Sequence, residues 1–211
     1  MAEKNSAGGE SLALAPRVCL TRFDSPLTPA WKTAQIAQLT TTEQVRLARI
    51  ERPLRREQFV VGHGMLRQVL AAAGQQDAAI EVDAEGRLEL SANVPLFASI
   101  AHSASAVAVV VAGLPVGVDL ESMQPLRDPR AAAAMLGLPA EGAQDAGAVL
   151  RAWVAAEARV KAGPEALAQV WRTRWERCQL AVAGAANQPL TRVLDGITGI
   201  YNAVELEWEA V

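Results

Sequence analysis

The chain has 211 residues, of which 51% are hydrophobic and 20% charged, and its formal net charge is −3. That length buries a sizeable core as one domain or two small ones, and the acidic balance argues against broad binding to nucleic acid or an anionic membrane. Two distant cysteines, Cys19 and Cys178, make neither a disulfide framework nor a metal-ligand spacing, so a reducing compartment, the cytoplasm, is the expectation.

Residues 1–10 lack the apolar stretch of a signal peptide and read as part of a loose tail over residues 1–15. Residues 17–23 suit an opening strand. Thr40-Thr41-Thr42-Glu43 offers a capping box for a helix to about residue 52. Pro53 is acceptable as the first residue of a second helix, which stops at Gly74 and keeps Phe59, Leu66, Leu70 and Ala73 at helical spacing. Short strands are predicted over residues 79–82 and 87–90, and core strands over 97–102 and 107–111. The longest apolar run, residues 106–118, is too short to span a bilayer and is punctuated by Gly113-Leu114-Pro115.

That punctuation is the expected seam between an N-terminal half, residues 1–113, and a C-terminal half, residues 114–211. Beyond it come a strand carrying Asp119, a helix over residues 130–136 and a longer helix over 145–162 ended by Gly163-Pro164. Strands over 179–182, 192–194 and 201–208 close the chain. Each half reads as strand, helices, strands, so the fold class is α+β with a structural duplication, although no repeat is legible residue by residue.

The chemistry concentrates after the seam. An extended segment puts Asp119 and Glu121 on one side, while Trp153, Glu157 and Lys161 recur every four residues on one helix face. Two acids from a strand, a third from a helix and an ammonium one turn on suit a divalent cation and a phosphorylated ligand. The plainer alternative is a strand-end ion pair and a routine Glu157–Lys161 helix pair. Against it, Glu157 shares its face with Leu150, Trp153 and Val160, the side expected to pack inward, where a carboxylate must be paired, protonated or ligated. Before the seam, Arg56, His63 and Arg67 form a cationic stripe, read either as a solvated helix face or as a phosphate contact. His102, with Ser103 and Ser105, ends a Val/Ile-rich strand and suits either a core histidine or a phosphate donor. Arg87, at a turn after Gly86, faces an anion or water.

Four motifs in order resemble the 4'-phosphopantetheinyl transferases of the monomeric, two-half type that activate nonribosomal peptide and polyketide synthases. Arg56 to Phe59, Gly62-His63 and Leu66-Arg67 look like that family's first helix motif, and Ser99-Ile100-Ala101-His102-Ser103 its strand end. Gly117-Val118-Asp119-Leu120-Glu121 matches its Gly-(Ile/Val)-Asp-x-Glu, and Trp153 to Lys161 is similar to its Trp-x-x-Lys-Glu-Ala-x-x-Lys. The resemblance implies two similar halves with coenzyme A in the cleft between them, and Mg²⁺ held by Asp119, Glu121 and Glu157. It further implies transfer of the phosphopantetheine arm to the serine of an apo acyl or peptidyl carrier protein, with 3',5'-ADP released. Glu157 then also receives the serine proton, directly or through water. Lys161 steadies the phosphates and His102 contacts the pyrophosphate or 3'-phosphate region. Ser103, Arg56, Arg67 and Arg87 are further candidates for binding coenzyme A. Four positions depart from the pattern: Ala156 stands where the family has lysine, His63 where it has arginine, Ala101 where it has serine and Leu88 where it has proline. The loss of the lysine sets up the alternative, a relative that binds coenzyme A or a carrier protein without efficient transfer.

Overall fold

Seven consecutive apolar residues, Ala106–Ala112, are all buried and form β5, the strand around which the rest is arranged. A run buried on both sides belongs inside a sheet covered on both faces. The computed structural model describes residues 16–23, 27–91, 96–124, 126–139, 144–194 and 201–211. The expected tail over residues 1–15 lies outside these.

Among the described residues there are five helices and eleven strands, a mixed α/β architecture compatible with α+β. The first sheet runs β10-β9-β1-β5-β4, built from Tyr201–Val204, Leu190–Leu194, Arg17–Arg22, Ala106–Ala112 and Phe97–His102. The second runs β11-β7-β8-β6, from Glu209–Ala210, Val170–Trp175, Cys178–Ala183 and Gly117–Ser122. A hairpin, β2 (Ala79–Val82) with β3 (Leu88–Ser91), forms a separate two-stranded sheet that packs Ile80, Leu88 and Leu90 against the core.

Alternation along β5 divides the core into layers. Ala106, Ala108 and Val110 pack with Val118, Leu120, Leu180 and Val182 of the second sheet. Val107, Val109 and Val111 pack with Val61, Met65, Leu66 and Leu70 of α3 (Pro53–Ala72). On the far side of the second sheet, α5 (Ala146–Ala162) lays Leu150, Val154, Ala155 and Ala158 on Val170, Ala181 and Ala183. The order of layers is therefore helix, sheet, sheet, helix, with α4 (Pro129–Met135) packed beside α5. No described helix is long and apolar enough to cross a membrane, and Cys19 and Cys178 are both free and buried.

The capping box forms at α2 (Thr41–Ala48): the Thr40 hydroxyl accepts from Glu43 N and Glu43 Oε2 accepts from Thr40 N at 2.8 Å. That helix stops at Ala48, short of the expected residue 52, and Pro53 opens α3 at its first position. Three elements went unforeseen, the shortest being the two-residue β11. Helix α1 (Pro29–Ala37) starts where Thr28 caps Trp31 N and a proline follows, both helix-start signals; its buried residue is Gln35, so apolar periodicity gave no hint of it. Strand β7 is rich in Trp and Arg and escaped for the same reason. The sheets also cross the expected seam, because β9 pairs parallel with β1 and carries β10 into the first sheet.

Candidate functional site

The site begins with a glycine. Any Cβ on Gly117 of β6 would lie 2.1 Å from the Ala158 carbonyl oxygen and 2.4 Å from Ala162 N. Only a residue without a side chain lets α5 rest directly on β6, and that contact brings the last two turns of α5 beside Asp119 and Glu121. Val118 N donates to Ser99 Oγ at 3.2 Å and so ties β6 to β4. Ser105 Oγ lies 3.5 Å from Ser122 Oγ, so the turn after His102 meets the end of β6.

Asp119 is buried, its Oδ1 accepts from Lys161 Nζ at 2.6 Å, and its Oδ2 is buried with no partner. The Glu121 carboxyl is held above its usual range, chiefly by burial and then by repulsion from Asp119; Lys161 opposes the shift and Glu157 adds to it. The three acids and the ammonium are thus within electrostatic reach of one another. Among the described residues, however, no three His, Cys, Asp or Glu side chains are gathered tightly enough to hold a metal ion by themselves. The donors are all hard oxygens and one of them is orphaned. That set suits a cation of the magnesium type, which takes one or two carboxylates and completes its shell with water and substrate phosphate.

One expectation about α5 needs correcting. Val160 does not face inward with Glu157: it is 69% exposed. The packing stripe runs through Leu150, Val154, Ala158 and Ala162, because small residues are required where the helix meets Gly117. Glu157 sits half-buried at the edge of that stripe.

His102, at the end of β4, is half-buried, and its pKa is pushed down to about 4 by burial, then by the charges of Arg55 and Lys161. The ring is therefore neutral at pH 7. Arg55 Nη1 lies 2.7 Å from His102 Nδ1 and also meets Nε2. Gln58 orients this guanidinium: its Oε1 accepts from Arg55 at 2.9 Å, and its Nε2 donates to the Ser103 carbonyl at 2.7 Å. Sequence reading passed over both Arg55 and Gln58 for the neighbouring Arg56, although Arg55 and Gln58 share a helix face at a spacing of three. Ser103 is buried, with its hydroxyl 3.4 Å from Ser105 Oγ and 3.7 Å from Cys178 Sγ.

The other candidate arginines bond elsewhere. Arg56 donates to the Leu47 and Ile50 carbonyls at 2.8 and 3.2 Å, satisfying acceptors at the end of α2. His63 and Arg67 both bind Glu43, whose side chain is 0% exposed. Arg87 bonds Asp83 at 2.7 Å and Glu85 at 3.3 Å. It nevertheless borders a cleft of about 500 Å³ between the β2–β3 hairpin and the end of α5, walled by Leu90, Phe97 and Val116 and reached by Lys161 and Glu165. Lys161 borders this cleft and also binds Asp119, while Asp119, Glu121 and Glu157 themselves do not line it. No family model matches the chain, and no curated protein does.

Proposed function

We propose that the protein transfers the 4'-phosphopantetheine arm of coenzyme A to a carrier-protein serine. The observation that carries this reading is the Lys161–Asp119 pair, with Glu121 and Glu157 in its electrostatic field and Lys161 also bordering a cleft of about 500 Å³. The specific two-half fold, action as a monomer and residence in the cytoplasm belong to the same proposal.

In this reading Asp119, Glu121 and Glu157 hold a divalent cation, which supplies neutralisation of the pyrophosphate charge when bound. Lys161 pairs with a phosphate oxygen, and Arg55 adds a second cation beside His102. Neutral His102 donates an N–H rather than a charge. The serine Oγ forms a new bond to the β-phosphorus as the P–O bond to 3',5'-ADP breaks, and the serine proton passes to the Glu157 carboxylate. A positioned base of this kind contributes roughly 10²–10⁴-fold.

The test is incubation of the full chain with coenzyme A, Mg²⁺ and an apo carrier protein. Transfer raises the carrier's mass by one phosphopantetheine arm. The ungathered carboxylates favour a second reading, a protein that holds coenzyme A without transferring it. Intact coenzyme A binding with no mass change across several unrelated carriers would select that reading.

A further inference from the structure

The two oxygens of Asp119 are in different states: Oδ1 accepts from Lys161, and Oδ2 is buried without a partner. Of the paired side chains, Asp119 is 9% exposed and Lys161 32%. The aspartate is fixed on β6 beneath α5, whereas the ammonium rides on a flexible four-carbon stem with solvent on one side. Lys161 also lines the cleft, so rotation of the stem alone can carry Nζ from the aspartate towards a ligand there. The α5 backbone is pinned by Gly117 and need not move.

We propose that Lys161 is the resting counter-ion of Asp119: it holds the aspartate while no metal is bound, yields that oxygen to a divalent cation, and is released to the ligand's phosphate. The inference deepens the proposed phosphoryl transfer and rests on it. Two consequences separate it from a lysine that only binds phosphate. Lys161 competes with the metal, so it weakens metal binding in the absence of ligand. A phosphate ligand that draws Lys161 away must tighten metal binding, and by reciprocity the metal must tighten the ligand.

The experiment titrates Mn²⁺ into the full chain, without coenzyme A or carrier, and reads free Mn²⁺ by electron paramagnetic resonance. Lys161→Met is expected to bind Mn²⁺ on the order of three- to tenfold more tightly than wild type. Arg159→Met removes the same formal charge from an exposed position on the same helix and is expected to change nothing. Adding 3',5'-ADP tightens Mn²⁺ in the wild type and loses that effect in Lys161→Met. Equal or weaker Mn²⁺ binding by Lys161→Met, with the wild type binding normally, overturns the counter-ion role and leaves the transferase reading standing. No Mn²⁺ binding by either protein removes the metal site, and both proposals go with it. Should Lys161→Met fail to fold, the wild type decides through acetic anhydride labelling: Lys161 becomes more reactive as Mn²⁺ saturates. Unchanged labelling overturns the inference.

Discussion

The α2–α3 contact and the β6–α5 contact each bring an acid of one element against a cation of a neighbouring helix, and they differ in what is left over. At α2–α3, Glu43 accepts from His63 at 2.6 Å, from Thr40 N at 2.8 Å and from Arg67, so both oxygens are used. Burial by itself would raise its pKa, yet these hydrogen bonds outweigh burial and hold it at about 2. Phe59 stacks on His63 at 4.0 Å and closes that cluster. At β6–α5, Asp119 keeps an orphaned oxygen and Glu121 is pushed the other way, chiefly by burial and then by Asp119. Each cluster has one buried polar atom without a partner, but at α2–α3 it is the Arg67 Nε, a donor, and at β6–α5 it is a carboxylate oxygen. A carboxylate with both oxygens filled stabilises the fold; one with an open oxygen has capacity for a cation.

The largest effects should come from crossing these two acids. Glu157→Gln is expected to lower turnover by on the order of 10²-fold or more, with the thermal midpoint within a degree or two, because shape is kept and only charge is lost. Glu43→Gln should do the reverse. It strands His63 and Arg67 around a neutral amide and costs roughly 3 kcal/mol of stability, while the folded fraction turns over normally. Carrier mass shift and denaturant unfolding read the two quantities. The pH dependence has a fixed sign: a depressed carboxylate contributes stability that is complete above the ordinary Glu value of 4.5 and lost as pH falls towards 2. The gap between wild type and Glu43→Gln must therefore close on acidification. Near-normal turnover in Glu157→Gln would erase the contrast between the clusters.

Gly117→Ala comes next. The new methyl group would fall 2.1 Å from backbone that cannot give way, so α5 must lift off β6. Both stability and turnover should fall, the latter by about tenfold or more as Glu157 and Lys161 leave register. Gly62→Ala is the control, since its new Cβ would meet the movable Ile100 side chain at 2.9 Å, away from the acids. Equal turnover losses would show that Gly117 has no special tie to the site.

How legible this was depended on whether a signal is local. The capping box at Thr40–Glu43, Pro53 at the head of α3 and the Gly163 stop of α5 are local, and the structure contains them. So is the i, i+2 geometry that puts Asp119 and Glu121 together on β6. Which arginines are free depends on partners far along the chain: Glu43 lies more than 20 residues from Arg67, and Gln58 lies 45 from Ser103. That is why Arg67 read as a candidate and Arg55 did not; the partners of Arg56, the Leu47 and Ile50 carbonyls, lie close by but are backbone acceptors that no residue type announces. The β1–β9 pairing joins the two ends of the chain, and no periodicity reports it.

Arg55 and His102 supply a smaller and sharper test of the unsatisfied side. The depressed His102 pKa means a neutral ring that titrates near pH 4 in the free protein. A phosphate placed beside it adds negative charge and must raise that midpoint, by about one pH unit or more. Proton NMR of the His102 ring with and without coenzyme A measures this directly. Gln58→Ala frees the Arg55 guanidinium and should blunt the ligand-induced change without altering the fold. A His102 midpoint indifferent to coenzyme A would take the phosphate away from this end of β4.

The smallest effect concerns Ala156, one residue before Glu157 and half-buried on α5. A lysine there adds a charge at the edge of the acidic cluster, where exposed pairs contribute no more than about 1 kcal/mol and are screened by salt. Ala156→Lys should therefore lower the KM for coenzyme A by about two- to fivefold at low ionic strength and less at high, with kcat nearly unchanged. The direction matters more than the size. If KM does not move, Lys161 and Arg55 already supply the charge the phosphates require, and the unsatisfied cluster lacks a metal rather than a lysine.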